Sequence, residues 1–360
     1  MPKAATRARK LRQQRRSAGT GSGARTHTPA ASGSSGSSSS NKAAAAAAPP
    51  AAAATAREEQ AWRRGVLSRR EHMPPELLKY WKARHSLFSR FAHDDDADGD
   101  GAEGEGEGGG IMLDAQSWYS VTPEAIAVRI AHRFRAGLAQ RAPRDMGKGK
   151  GRAPAQEEEE EGADAQGPPH VLDAFAGAGG NAIAFARAGC TVTALDIDGD
   201  KLRMLMHNAA LYGAAVAARI TPVCGDFFEH AQRAELADSY DAVFLSPPWG
   251  GVDYLAATAA SGGYDYFPLR ALCEPHGCAG MVRAARRLCS GTAGNVALFL
   301  PRSAALADIA ALAQPAGDEA TRRLVDVEEA WMGHKLKALV AYMGDLAQWE
   351  EEWQAGWGWE

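Results

Sequence analysis

Between residues 170 and 346 the apolar positions follow two rhythms. Compact apolar runs such as Ala242-Val243-Phe244-Leu245 have the length of buried strands, while the stretches between them carry apolar residues three and four apart, the spacing of helices packed by one face. Strands are therefore expected at 171–175, 191–196, 219–223, 241–246 and 295–300, with two more near 322–328 and 335–343. Helices are expected at 180–189, 199–211, about 228–236, about 277–290 and 303–313. Their alternation implies an α/β fold of the Rossmann-like kind, a mostly parallel sheet with helices on both faces and an antiparallel final strand. Upstream, Thr122-Pro123-Glu124 reads as a helix start with Thr122 as N-cap and Pro123 at the first helical position, running to about Gln140. Residues 56–91 become helical and aromatic, ending in Lys79-Tyr80-Trp81 and Phe88-Ser89-Arg90-Phe91.

Composition divides the chain further. Residues 1–56 carry Lys3, Arg7, Arg9, Lys10, Arg12, Arg15 and Arg16, then Ser, Gly and Ala, with no acidic residue; such a tail cannot build a core and is expected to be disordered. A helical extension at 57–141 follows, interrupted by an acidic, Gly-rich loop at 94–110. An acidic linker at 142–169 precedes the core at 170–346, and a Trp- and Glu-rich tail occupies 347–360. The basic start fits a nuclear-import tract, and its Arg-rich, acid-free composition also fits an organellar transit peptide. The nuclear reading is favoured, with the cytoplasm as an alternative.

The formal net charge of −4 excludes little, because basic and acidic residues are segregated and nucleic-acid binding would rest on a few placed Lys and Arg. No apolar stretch reaches the length of a membrane span, so no membrane partner is expected. The five cysteines, an odd number without a regular framework, favour a reducing compartment. Cys273, His276, Cys278 and Cys289 do not match common zinc-ligand spacing, and no metal is expected.

Chemistry enters at the strand ends. The segment Asp173-Ala174-Phe175-Ala176-Gly177-Ala178-Gly179-Gly180-Asn181 turns from a strand into a helix through glycines that let backbone approach a ligand. Asp196 ends the second strand, placed to accept from ribose hydroxyls. After the third, Asp226 is placed to accept from an adenine amine, with Phe227 packing on the ring. The glycine pattern departs from G-x-G-x-x-G, and the fourth strand ends in Ser246-Pro247-Pro248-Trp249, so S-adenosylmethionine fits better than NAD. The Pro-Pro turn presents backbone carbonyls where open α/β sheets bind ligands, Ser246 and Pro247 being placed to accept an amine's hydrogens and Trp249 to stack on a flat ring. The pattern is that of an amine methyltransferase.

The segments KYWKARHSLFSRF, WYSVTPEAIA, DAFAGAGGNAIAFA, HNAALYG, FLSPPWGGVDY, FLPR and HKLKALVAYMGDL together resemble trimethylguanosine synthases, which hypermethylate the cap of small nuclear and nucleolar RNAs. The resemblance covers roughly residues 76–346 apart from the acidic inserts. It implies a seven-stranded class I methyltransferase fold and two successive methyl transfers from S-adenosylmethionine to the 2-amino group of a 7-methylguanosine cap, releasing S-adenosylhomocysteine. It also implies cofactor contacts at Thr122, Asp173, Asp196, Asp226 and Ser246, with Phe175, Gly177, Gly179, Asn181 and Phe227 in the same segments. Its cap contacts fall on Lys79, Phe88, Ser120, Asn208, Trp249, Tyr254, Arg302 and Lys337. Capped small nuclear or nucleolar RNA is the implied partner, with ribonucleoprotein delivery partners on the disordered tail and no DNA. Residues 255–278 depart from the family in their Cys and His content, which bears on the wall of the cap pocket. Two other readings stay open: an amino-methyltransferase acting on adenine or guanine in uncapped RNA or DNA, and a catalytically silent RNA-binding protein.

Overall fold

The computed structural model describes residues 65–91, 110–139, 167–250, 266–313 and 324–347. The basic tail, nearly all of the two acidic stretches, Tyr254 and the residues after 347 lie outside them. Among the described residues one sheet of seven strands forms: β1 His170–Asp173, β2 Thr191–Asp196, β3 Ile220–Cys224, β4 Ala242–Leu245, β5 Val296–Pro301, β6 Val325–Met332 and β7 Lys335–Met343. Their order is β3-β2-β1-β4-β5-β7-β6. The first five strands pair parallel, and β7 enters antiparallel between β5 and β6. The chain steps from β1 outward to β2 and β3, then returns to lay β4 on the other side of β1. That reversal opens a crevice at the carboxyl ends of β1 and β4, where such sheets take their ligands.

Side chains alternate between the two faces of the central strands, and each face has its own core. Val171, Val192, Ala242, Phe244, Phe299 and Val340 point to one side, and Leu172, Leu195, Val243, Leu245, Leu298 and Leu339 to the other. The helices α1 Glu124–Gly137, α2 Gly180–Arg187 and α3 Gly199–Leu211 cover the first face; α4 Phe227–Gln232, α5 Gly277–Leu288 and α6 Leu306–Ala313 cover the second. Phe134 of α1, fully buried, lies 4.7 Å from Phe185 and 6.1 Å from Phe244, joining α1, α2 and β4.

Several boundaries differ from expectation. β6 lies at 325–332 rather than 322–328, because its pairing with β7 continues through Trp331 and Met332 to the start of β7 at Lys335; within it stand the acids Asp326 and Glu328. Arg129 and Arg133, one turn apart on α1, pair with these acids, and the Arg133 guanidinium sits 3.7 Å over the Tyr342 ring. α6 starts at Leu306 rather than 303 because Ser303 and Ala304 bridge to Phe267. α1 begins at Glu124 with Pro123, in extended backbone, at the N-cap position; Thr122 does not cap it, since its hydroxyl accepts from Asn181 Nδ2 at 2.9 Å.

Ahead of α1, the described part of the extension is not regularly helical. It forms single turns at Arg70–His72, Leu78–Trp81, Arg84–Leu87 and Ser117–Ser120. What holds them is an aromatic cluster: Trp118 lies 5.6 Å from Trp81 and 5.4 Å from Phe91, and its indole donates to the Leu67 carbonyl. Such large rings bury more surface in a compact knot than along one helical stripe.

Candidate active site

The turn between β1 and α2 depends on close approach. A Cβ on Gly179, whose φ is +101°, would sit 2.9 Å from Leu205; one on Gly180 would sit 2.8 Å from Val121 and 3.1 Å from the Thr122 carbonyl. Without those carbons the segment 120–122 lies directly on the start of α2. Asn208, fully buried, secures the same corner by donating to the Met112 and Ala178 carbonyls and accepting from the Met112 N–H.

Asp173 ends β1 inside this corner. Its carboxylate is wholly buried, and neither oxygen has a hydrogen-bond partner; Asn181 Oδ1, on the first turn of α2, is a second buried acceptor without one. Burial, then the charge of Asp196, pushes the Asp173 pKa up to about 7. The nearby backbone N–H groups of Phe175 and Ala182 pull it partly back down. Buried acceptors without donors are costly, so the pair calls for a cationic donor such as an amino group.

Two more acids ring the crevice. Asp196, at the end of β2, accepts from the Gly177 N–H at 2.8 Å through Oδ2 and from the Asp198 N–H at 2.9 Å through Oδ1, so one carboxylate holds the glycine turn and retains lone pairs on each oxygen. Asp226 caps α4, its Oδ1 accepting from Phe228 and Glu229 N–H. The cap also orients the carboxylate, leaving Oδ2 unengaged by any described residue. An amino group, a ribose and an adenine amine have acceptors around one turn, and S-adenosylmethionine carries all three.

On the other side of the crevice, Ser246 donates to the Phe175 carbonyl at 3.3 Å, tying the Pro-Pro turn to the glycine turn. Trp249 is half-buried; its ring stacks on Phe299 at 5.6 Å and 24°, and its indole N–H donates to the Phe299 carbonyl. Phe299 was not singled out in the sequence; FLPR would have pointed to it only through its Arg. Pro301, the last residue of β5, pairs with Ala338 of β7, which brings Arg302 and Lys337 to adjoining positions across the two strands. Both are exposed, and neither has an acidic partner among the described residues. Like charges set beside each other on adjacent strands repel, so the arrangement favours an anion between them.

Other expected contacts are placed differently. Phe88 is 2 % exposed and packs on Phe91, so it cannot stack on a substrate. Asn208 has its amide committed to the corner clasp and no surface for a cap. Phe227, 3 % exposed, is held between Phe175 and Phe228, so it backs the wall of the crevice instead of flanking an adenine. Ser120 and Lys79 are exposed, Lys79 Nζ resting 5.0 Å over Tyr80, which in turn lies 6.5 Å from Tyr119. In the Cys/His segment, His276 stacks on Phe228 at 4.0 Å and Cys273 Sγ lies against Met281 Sδ, both built into packing.

A family model described as RNA cap guanine-N2 methyltransferase matches residues 169–346, a span containing the whole sheet and the crevice. The trimethylguanosine synthase of Schizosaccharomyces pombe is 33 % identical over 240 residues, which are 66 % of this chain and 76 % of that protein. The chain belongs to the RNA cap guanine-N2 methyltransferase family. The trimethylguanosine synthase of Saccharomyces cerevisiae is 29 % identical over 231 residues, 64 % of this chain and 56 % of that protein, so the match spans little over half of the budding-yeast relative. Among solved structures, an S-adenosylmethionine-dependent methyltransferase from Agrobacterium tumefaciens aligns over 50 % of this chain and 57 % of its own, with 20 % identity and a TM-score of 0.35, too loose to equate individual residues. Membership in the cap guanine-N2 family agrees with the acceptors gathered around Asp173, and the cofactor is S-adenosylmethionine.

Proposed function

We propose that the protein transfers two methyl groups in succession from S-adenosylmethionine to the exocyclic 2-amino group of a 7-methylguanosine RNA cap. The caps of small nuclear and nucleolar RNAs are the proposed substrates, and the nucleus the proposed location. One observation carries the reading: a buried, donor-seeking cofactor corner at Asp173 meets, across the Ser246–Phe175 hydrogen bond, an aromatic shelf at Trp249 flanked by the cations Arg302 and Lys337.

The cofactor supplies an electrophilic methyl group on a sulfonium. Asp173 and Asn181 would hold its amino group, Asp196 would accept from the ribose, and Asp226 Oδ2 would accept from the adenine amine. Trp249 receives the guanine, whose 7-methyl group leaves the ring positively charged; stacking a cation on indole is worth roughly 0.5 to 2 kcal/mol over a neutral ring. Arg302 and Lys337 take the triphosphate bridge, Arg302 with the fork geometry suited to paired oxygens. Ser246, its own hydrogen donated to Phe175, keeps lone pairs to accept from the amine, and the Pro247 carbonyl accepts the second hydrogen. The nitrogen lone pair is thereby held in line for transfer. Moving the methyl group from sulfur to nitrogen would break its bond to sulfur and leave S-adenosylhomocysteine and a strongly acidic amine, whose proton passes to water, so the chain acts by positioning and electrostatics.

The test incubates the protein and S-adenosylmethionine with a 7-methylated cap dinucleotide, its unmethylated counterpart and an uncapped RNA, with mass spectrometry of the products. Gain of one and then two methyl groups on the 7-methylated cap alone is expected. Methylation of uncapped RNA instead would transfer the activity to a base within the RNA chain.

A further inference from the structure

We infer that the tip of the β6–β7 hairpin holds the RNA chain just beyond the cap, with Trp331 as a stacking face and His334 and Lys335 as phosphate contacts; this rests on the cap reading above. The register sets its position. Ala338 pairs with Pro301, the end of β5, and lies three positions after Lys335, the start of β7, so the hairpin overhangs the crevice end of β5 by about 10 Å at ~3.3 Å per residue. β7 runs opposite to β5, which puts this overhang at the carboxyl end of the parallel strands, beside Trp249, Arg302 and Lys337.

The overhang is chemically distinct from the rest of its strands. From Trp331 to Lys337 the sequence carries two lysines, one histidine and no acid, while the preceding β6 residues include three acids. His334, Lys335 and Lys337 are exposed, without acidic partners among the described residues. Trp331 is 44 % exposed, and its indole N–H donates to Glu329 at 3.0 Å, which fixes the ring and turns the nearest carboxylate to a structural use. Ala330 pairs with Ala338 but Trp331 with Leu336, so Lys337 is an extra residue bulged from the ladder, a device that bends a strand and re-aims side chains. Trp331 pairs with Leu336 and Lys335 with Met332, so the ring and this cation flank the tip from opposite faces; an aromatic face and cations around one tip are the parts with which single-stranded nucleic acid is held regardless of sequence. Exposed lysines also guard sheet edges against pairing, but that purpose does not require an exposed, pinned indole.

The experiment compares kcat/KM of the unaltered protein, Trp331→Ala and Lys335→Ala on a 7-methylated cap dinucleotide and on a capped single-stranded RNA of about ten nucleotides. The expected result is a loss of about tenfold on the capped RNA with the dinucleotide rate unchanged. Equal losses on both substrates would place the hairpin in the fold or the cap site, and no loss on either would remove it from RNA binding; both overturn the inference. Binding of an uncapped oligonucleotide, followed by fluorescence anisotropy across salt concentrations, reads the same surface without methyl transfer. Lys335→Ala should lower the salt slope by about one. An unchanged slope overturns the inference, whereas hairpin-dependent binding by a protein that methylates no cap would overturn the cap reading alone.

Discussion

The unpaired carboxylate of Asp173 makes cofactor binding a proton-linked event. Its pKa, raised to about 7 by burial and by Asp196, means that near neutrality a large share of the free protein carries this group protonated. The free protein gains stability from Asp173 when it is protonated, and that contribution is lost as pH rises from the unfolded value of 3.8 through about 7. Pairing with the cofactor's ammonium requires the ionised form. S-adenosylmethionine affinity is therefore expected to fall by up to about tenfold per pH unit below about pH 7, with proton release on binding, and to become flat in Asp173→Asn. Calorimetry in buffers of different ionisation enthalpy measures both, and a flat profile in the unaltered protein would remove the charge pair. Two substitutions separate the halves of the site. Trp249→Ala should abolish turnover and leave the cofactor dissociation constant within about threefold, whereas Asp196→Ala should raise that constant by about tenfold or more, since it removes ribose acceptors and the tether on Gly177. Cofactor loss in the first variant or none in the second would reverse these assignments.

Helix α1 locks the extension to the sheet with its two ends. At its first turn Glu124 accepts from the Ser89 N–H at 2.6 Å, the Ser89 hydroxyl at 3.1 Å and the Tyr212 hydroxyl at 2.7 Å, and pairs with Arg187. Partial burial works against the Glu124 charge, but the Ser89 backbone N–H, Tyr212, Arg187 and the Ser89 hydroxyl outweigh it and hold its pKa below 4.5. Stability from this clasp is thus present above that value and lost as pH falls through the lowered one. Glu124→Gln should speed amide exchange across Ser89–Phe91 at neutral pH, while the unaltered protein should show comparable loosening only in acid. Exchange unchanged by the substitution would mean that the aromatic knot alone seats the segment. Farther along the helix, Phe134→Ala is expected to cost ~3–5 kcal/mol in denaturant unfolding, because the ring fills the junction of α1, α2 and β4.

The protein has two cores on one sheet, and the first is completed from outside the family-matched segment. Residues 169–346 contain all seven strands but not α1, whose Ile126, Ile130 and Phe134 cover the face formed by Val171, Phe244 and Val340. A chain beginning at residue 167 should consequently expose a large apolar face, bind a hydrophobic dye and lose a cooperative melt, whereas the complete chain melts cooperatively. A cooperative melt without dye binding in the short chain would show that α1 is dispensable to the fold.

Strand and helix order, the glycine turn, the three acids and the Pro-Pro-Trp turn were legible in the chain because each rests on local rules: hydrophobic period, glycine sterics and proline's fixed φ act over a few neighbouring residues. β2, α3 and β7 fall where their periodicity puts them. Long-range partners decided the rest. β6 was displaced because its pairing with β7 runs on to Met332, while arginines on a helix nearly two hundred residues upstream hold the acids of that strand, and Thr122 exchanged a capping role for one beside Asn181. Phe88 and Asn208 belong to packing, a distinction that depends on burial and that no motif encodes. The pairing of Arg302 with Lys337, the bulge at Lys337 and the overhang of the hairpin follow from register, which is set by how β5, β6 and β7 bury their apolar faces against both layers of helices at once.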